Sequence, residues 1–202
     1  KFRQRVKDAA YRVIKTKLEY FKSKNSAPLF PDSKDVDKYI PDRDGEKFFI
    51  EQACRSITVE KQGSLPITRD TAGKILLMGS LDEFFKAAKE RFPDAGEFSF
   101  TYETGPNETQ WVLDNIGKVE SGFDTIIICV SNENHVKIAN YFKNSRKKVI
   151  ILSTMSPTIT ADLQWADLIL LGYSWRCGYT MEALIAVVNG EYVPKGVRPY
   201  KD

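Results

Sequence analysis

The segment Asp124-Thr125-Ile126-Ile127-Ile128-Cys129-Val130 is an almost unbroken apolar run of strand length. A strand with apolar residues on both faces has to be buried between two layers, which is typical of a parallel sheet covered by helices. Lys148–Leu152 (KVIIL) and Asp167–Leu171 (DLILL) repeat this pattern. The three segments therefore predict the centre of a buried sheet.

Strands and helices alternate on either side of these segments. The predicted strands are Ser56–Glu60, Lys74–Met78, Glu97–Tyr102, Asp124–Val130, Lys148–Leu152 and Asp167–Leu171. The predicted helices are Asp44–Arg55, Leu81–Arg91, Glu108–Val119, Asn134–Asn144 and Tyr179–Asn189, with a short helical segment at Pro157–Leu163. This alternation predicts an α/β fold with a mostly parallel sheet sandwiched by helices.

A separate amphipathic helix precedes the sandwich. Residues 1–24 carry an apolar stripe at helical spacing and nine Lys or Arg side chains against two carboxylates. A solvated helix face explains this charge better than nucleic-acid binding, because no aromatic side chains interleave with the basic ones. Residues 25–43 are polar and contain three prolines, which is typical of a linker. We therefore predict a detached N-terminal helix, a linker at 25–43 and an α/β domain at 44–202.

Composition excludes several classes of protein. The 202 residues are 42% hydrophobic and 28% charged, as in an ordinary soluble protein. No apolar run approaches the roughly 20 residues of a membrane span, and no signal-peptide core follows the first residues. One histidine and three cysteines without metal-site spacing predict neither a metal site nor a disulfide framework. No nucleotide-binding fingerprint is present, so we predict no cofactor.

Ligands of a parallel sheet bind beyond the carboxyl ends of its strands, so the loops there hold the candidate residues. Gly79-Ser80 opens a helix and is a candidate for a phosphate contact, although tight-turn geometry is the favoured interpretation. The following loop carries Tyr102 and Glu103 and ends at Glu108. For Glu108 we favour a role in capping the next helix.

The loop after Val130 contains Glu133 and His135, which are candidates for a shared proton-transfer role. The favoured alternative is that Ser131 or Asn132 caps a helix whose first turn contains Glu133.

The last candidate loop, Tyr173–Gly178, holds two aromatic residues and an arginine. Tyr173, Trp175 and Arg176 suit a sugar platform or, preferably, a domain interface. Cys177 lies beside Arg176, which favours a lowered thiol pKa, but no base is evident nearby.

Several segments together resemble glycoside hydrolase family 3. Trp165–Tyr173 (WADLILLGY), Met181–Glu191 (MEALIAVVNGE) and Pro194–Pro199 (PKGVRP) resemble the block that closes its C-terminal sandwich domain. Ala53–Pro66 (ACRSITVEKQGSLP) and Lys147–Pro157 (KKVIILSTMSP) are similar to earlier strands of that domain. Arg5–Tyr20 (RVKDAAYRVIKTKLEY) resembles the closing helix of the family's catalytic TIM barrel.

The resemblance implies that the chain is part of an exo-acting β-glycosidase. Residues 1–24 would be the terminal helix of a missing barrel domain, 25–43 the interdomain linker and 44–202 the sandwich domain. The family's retaining mechanism needs a carboxylate nucleophile and an acid/base about 5 Å apart, and the nucleophile lies on the barrel. The resemblance therefore implies no catalytic residue here, with Glu133 as the one candidate, and an inactive isolated chain.

The resemblance also implies a substrate class. The acid/base motif of the β-glucosidase-like members does not follow Val130, so the parent is expected to hydrolyse terminal β-linked N-acetylglucosaminides. Tyr102, Glu103, Tyr173, Trp175 and Arg176 would then face the barrel or the substrate. We expect a soluble enzyme of bacterial type, cytoplasmic or exported, and self-association of the isolated chain.

The alternative is a free-standing α/β module that binds a small molecule or a protein. Burial of the first helix's stripe against the sandwich would favour this alternative, whereas exposure would favour a missing barrel.

Overall fold

The computed structural model describes residues 2–24, 26, 30, 32–34, 45–103, 105–174 and 178–199. The chain divides into two compact units, Lys1–Gly45 and Glu46–Asp202. Each is described by itself below.

The first unit contains one long helix, α1 (Phe2–Lys22), as its apolar periodicity predicts. No residue of α1 is buried. The apolar stripe is accordingly open, with Phe2 81%, Val6 51% and Val13 54% exposed. Most of the predicted linker at 25–43 lies outside the described residues.

The second unit alternates strands and helices. Its elements are α2 (Gly45–Ser56), β1 (Thr58–Lys61), α3 (Arg69–Ala72), β2 (Ile75–Gly79), α4 (Asp82–Arg91), β3 (Gly96–Ser99), α5 (Pro106–Glu120), β4 (Thr125–Val130), α6 (Glu133–Ala139), β5 (Lys148–Ser153), β6 (Leu168–Leu171) and α7 (Gly178–Val188). Two 3₁₀ segments, Asn140–Phe142 and Pro157–Leu163, follow α6 and β5. Among the described helices none combines the length and apolar character needed to cross a bilayer.

The strands form one six-stranded sheet in the order β1-β6-β5-β4-β2-β3. Five strands are parallel, and β1 is antiparallel to β6 at one edge. The centre is the pair β4–β5, in which Ile127 lies opposite Ile150 and Ile128 opposite Ile151. The predicted α/β architecture is confirmed, and the apolar segments chosen from the sequence are the central strands.

Both faces of the sheet are covered. Ile127 and Cys129 point into a core shared with α4 and α7, whereas Ile126 and Ile128 point into a core shared with α5 and α6. All four side chains are fully buried. Burial of each large apolar side chain stabilises the fold by about 1.5–3 kcal/mol, which is why these strands read as continuous apolar runs.

Three local predictions need correction. The short helix α3 is missing from the sequence prediction, because it has four residues and no apolar period. The strand predicted to reach Tyr102 ends at Ser99, and only the Phe100 N–H continues the pairing, to Gly79 O at 3.0 Å. The helix predicted to reach Asn144 ends at Ala139 and tightens into the first 3₁₀ segment.

Candidate functional site at the carboxyl edge

The parallel strands create a switch point between β2 and β4. The chain leaves β2 for its neighbour β3 on one side, and β4 leads to β5 and β6 on the other. In open α/β sheets a crevice forms outside the carboxyl ends of two such strands, and ligands commonly bind there. The loops that border this crevice are those after β2, β3 and β4.

His135 fills the crevice. Its side chain is fully buried, and its Nδ1 accepts a hydrogen bond from the Ser131 N–H at 3.2 Å. The rings of Phe100 and Tyr102 stand edge-on to the imidazole, with centroids 5.0 and 6.0 Å away. The only histidine of the chain is therefore packed inside the protein.

Asn132 ties the neighbouring loops together. Its Oδ1 accepts from the His135 N–H at 3.0 Å, which caps α6, and its Nδ2 donates to the Tyr102 carbonyl at 2.8 Å. The prediction that Ser131 or Asn132 caps this helix is confirmed. The second hydrogen bond crosses from the β4 loop to the β3 loop, so the chain's own groups bridge the crevice.

Burial controls the charge of His135. Loss of solvation lowers its pKa to about 4, and hydrogen bonds to the backbone at Thr101 and Tyr102 only partly oppose this effect. The imidazole is therefore neutral near pH 7. Glu133, in the first turn of α6, is exposed. These surroundings give His135 a structural role and leave Glu133 on the surface.

The loop after β3 presents two of the predicted residues. Tyr102 is half-buried and Glu103 is exposed. Glu108 anchors the start of this loop, because its Oε1 accepts from the Thr101 N–H at 3.1 Å and from the Thr101 hydroxyl at 2.6 Å. Glu108 lies in the first turn of α5, as predicted. Its carboxylate also holds Thr101, two residues beyond the end of β3, which the sequence does not indicate.

Gly79-Ser80 is shaped by packing rather than by a turn. A Cβ at Gly79 would lie 3.2 Å from both Cys129 Cβ and Phe84 Cδ1, and Gly79 needs no positive φ. Helix α4 then begins with Asp82 and Glu83, whose charges disfavour a phosphate. The tight-turn interpretation is therefore wrong: close packing, and not turn geometry, accounts for a glycine at this position. The phosphate alternative gains no support.

Tyr173 lies at the carboxyl end of β6 in an unusual conformation. Its φ is 55°, in the left-handed region that non-glycine residues seldom adopt, and 37% of the residue is exposed. Such a conformation costs of order 1 kcal/mol and is enriched at functional sites. No sequence signal reveals it. Trp175, Arg176 and Cys177 lie outside the described residues.

Buried polar groups lie under this edge. Thr154 donates to Ser131 Oγ at 3.0 Å, while the buried hydroxyls of Ser80 and Ser153 have no hydrogen-bond partner among the residues that the structure describes. Burial raises the pKa of Cys129 to about 12, so its thiol stays protonated. The part of the chain that the structure describes holds no group of three metal-ligating side chains.

No protein-family model and no curated protein sequence matches the chain. Solved structures do match it. A family 3 β-N-acetylglucosaminidase from Paenibacillus sp. str. FPU-7 matches with a TM-score of 0.66 and 14% identity, over 86% of this chain and 35% of that enzyme. A fungal multi-domain family 3 β-N-acetylglucosaminidase matches with a TM-score of 0.58 and 20% identity, over 74% of this chain and 18% of that one.

A β-glucosidase from Listeria innocua also matches, with a TM-score of 0.60 and 15% identity. The match covers 79% of this chain and 27% of the glucosidase. The chain thus spans about a third or less of the structures it matches, at identities that establish the fold. It shares its α/β fold with one part of glycoside hydrolase family 3 enzymes.

Proposed function

We propose that the chain is the C-terminal sandwich domain of a family 3 exo-acting β-glycosidase, preceded by the last helix of the catalytic barrel. The observation that carries this proposal is the structural match over 86% of this chain but only 35% of the Paenibacillus enzyme. The proposed boundaries are 1–24 for the barrel helix, 25–43 for the linker and 44–202 for the sandwich. The apolar stripe along α1 supports the first of these, because a barrel helix needs an apolar partner.

In this proposal the domain supports the barrel with its carboxyl edge. The bond between Asn132 and Tyr102 and the bond between Glu108 and Thr101 fix the β3 loop, so Tyr102 and Glu103 have defined positions. Together with Tyr173 and the two sequence-predicted residues Trp175 and Arg176, they form the surface that faces the barrel or the substrate. Rigid support of such a surface is what a neighbouring active site requires.

The same proposal makes the isolated chain inactive. His135 is buried and neutral, and the Cys129 thiol is buried and protonated. A retaining glycosidase needs two carboxylates about 5 Å apart. Glu133 is exposed in the first turn of α6, and the proposed nucleophile belongs to the barrel.

For the substrate we propose a terminal β-linked N-acetylglucosaminide. Two of the matching structures are β-N-acetylglucosaminidases, and the acid/base motif of the β-glucosidase-like members is missing after Val130. β-Glucosides are the competing substrate class, because the Listeria enzyme matches the same fold.

A substrate pair tests this proposal. The full-length gene product is assayed with chromogenic β-N-acetylglucosaminide and β-glucoside at equal concentration, with the isolated chain as the control. We expect the first substrate to have at least a tenfold higher kcat/KM and the isolated chain to show no turnover. A reversed preference contradicts the substrate class. Absence of hydrolysis of either substrate contradicts the glycosidase assignment.

A further inference from the structure

The two edge strands of the sheet, β1 and β3, differ in whether another segment of the chain covers them. At the β1 edge the C-terminal segment covers the strand: the Gly196 N–H donates to Ile57 O at 3.0 Å, and Gly196 bridges to Thr58. Arg198 Nε donates to Glu60 Oε2 at 2.6 Å. This covering protects the β1 edge from pairing with another chain.

The opposite edge, β3, has outward-facing backbone groups. The Phe100 N–H points to β2, where it bonds to Gly79 O. Because backbone groups alternate along a strand, Phe98 also faces β2, whereas Glu97 and Ser99 face away from it. Within the described ranges no hydrogen bond is formed on the outer side by the backbone of Glu97 or Ser99. The next outward N–H, that of Thr101, donates to Glu108 Oε1 and is therefore already paired.

An aromatic surface accompanies this edge. Phe98 stacks on Trp111 of α5, with centroids 6.3 Å apart and planes 13° apart, and 55% of Trp111 is exposed. On the other face of the strand, Glu97 is paired with Lys89 at 3.3 Å. Within the described residues, the edge therefore combines unpaired backbone groups, a half-buried Phe98 stacked on the exposed Trp111, and a Glu97 carboxylate paired with Lys89.

We propose that β3 pairs with β3 of a second copy of this chain, antiparallel about a two-fold axis at Phe98. Side chains directly opposite each other must share a face, so residue numbers in each pair must have equal parity. Centring on Phe98 meets this condition and places each Glu97 opposite the partner copy's Ser99. The backbone groups of these two residues both face outward, so each pair exchanges two hydrogen bonds.

Two neighbouring registers also satisfy the parity condition, and both are disfavoured. Centring on Ser99 would place Glu97 opposite Thr101, whose N–H already donates to Glu108. Centring on Glu97 would place two carboxylates directly opposite each other, which destabilises a strand pair. Centring on Phe98 instead brings the two Phe98 rings together, flanked by Trp111 from each copy. Aromatic cross-strand pairs stabilise such an arrangement. The product is one continuous sheet through both copies.

The first test is molar mass by sedimentation equilibrium over micromolar to millimolar protein concentrations. We expect wild type to approach twice 23.0 kDa. Ser99→Pro removes one outward N–H without touching the β2 pairing and is expected to weaken dimerisation at least tenfold, because proline is tolerated on an edge but cannot donate. Ser99→Thr keeps the N–H and is the matched control, expected to dimerise like wild type.

Two cysteine variants, compared by disulfide cross-linking, test the same proposal if Ser99→Pro fails to fold. In a Cys177→Ser background, Phe98→Cys places two thiols at a non-hydrogen-bonded pair, whose Cα atoms lie about 4.5 Å apart, within disulfide range. Ser99→Cys, one residue along, is offset in this register and serves as control. We expect an oxidised dimer from Phe98→Cys and little from Ser99→Cys.

Three results would overturn the proposal. A chain that stays monomeric at millimolar concentration excludes the pairing. Cross-linking through Ser99→Cys in preference to Phe98→Cys excludes the register. A dimer that survives Ser99→Pro but dissociates in Val13→Asp shows association through the exposed stripe of α1 instead.

Discussion

His135 makes the stability of the sandwich depend on pH, first between about pH 6.5 and 5, where histidine is the side chain type that normally titrates. It is the only histidine of the chain, so the effect has one source. In the unfolded chain its pKa is near 6.5, whereas burial lowers the folded pKa to about 4. A lowered folded pKa means that the unfolded state binds the proton more tightly. The stabilising contribution of neutral His135 is therefore complete above pH 6.5 and is lost as the pH falls toward 4.

The magnitude follows from these two values. Proton linkage predicts a loss of about 1.4 kcal/mol at pH 5.5 and about 2.6 kcal/mol at pH 4.5, relative to pH 8. One buried imidazole thus removes a sizeable share of the 5–15 kcal/mol that is typical of a domain. Carboxylates also titrate near pH 4.5, but they are the same in both proteins of the comparison described next, so their contribution cancels in the difference.

The assay is urea unfolding of wild type and His135→Gln at pH 8, 5.5 and 4.5. Wild type is expected to lose the stated amounts relative to the variant, since glutamine carries no titrating ring. The imidazole Cε1–H resonance should titrate near pH 4 in folded wild type. Equal pH dependence of the two proteins, or a folded-state titration near pH 6.5, would refute the argument from burial.

Three further predictions concern single residues. Glu133→Gln in the full-length gene product should leave kcat/KM within a few-fold, because only an exposed first-turn carboxylate is lost; a drop of about 10²–10⁴ would mark it as the acid/base instead. Gly196→Ala should destabilise by about 1–3 kcal/mol in urea unfolding, since its Cβ would lie 2.2 Å from Ser56 O, whereas Gly122→Ala, with open space, should be neutral. Lys147→Met should lower the free energy of unfolding by about 2–4 kcal/mol, because Lys147 Nζ donates to the carbonyls of Glu120 and Phe123 at 2.7 Å each. Lys143→Met, at an exposed position, is the control. Equal stability of the two variants would contradict this role of Lys147.

Most of the fold could be predicted because its signal is local. The central strands β4, β5 and β6 are buried on both faces, so their apolar runs are unbroken and stand out from the amphipathic helices. Their bounds agree with the prediction to within a residue. The antiparallel direction of β1 has no local signal, because it depends on which strand β1 meets in the folded sheet.

The candidate site could be predicted only in part. The position of Asn132 before an apolar helix predicts its cap, but its second hydrogen bond joins residues 30 positions apart in the sequence. The burial of His135 depends equally on Phe100 and Tyr102, which arrive from another strand. The left-handed backbone of Tyr173 is set by its surroundings, and tyrosine itself gives no sign of it.

The proposal that this chain is one domain of a longer hydrolase is tested most directly by the intact mass of the gene product. The protein is captured immediately after expression in its source cells with an antibody raised against residues 45–199, and weighed by mass spectrometry. The account predicts a mass above 23.0 kDa by at least a barrel of roughly 250 residues. A gene product of 23.0 kDa at the earliest time after synthesis would contradict it.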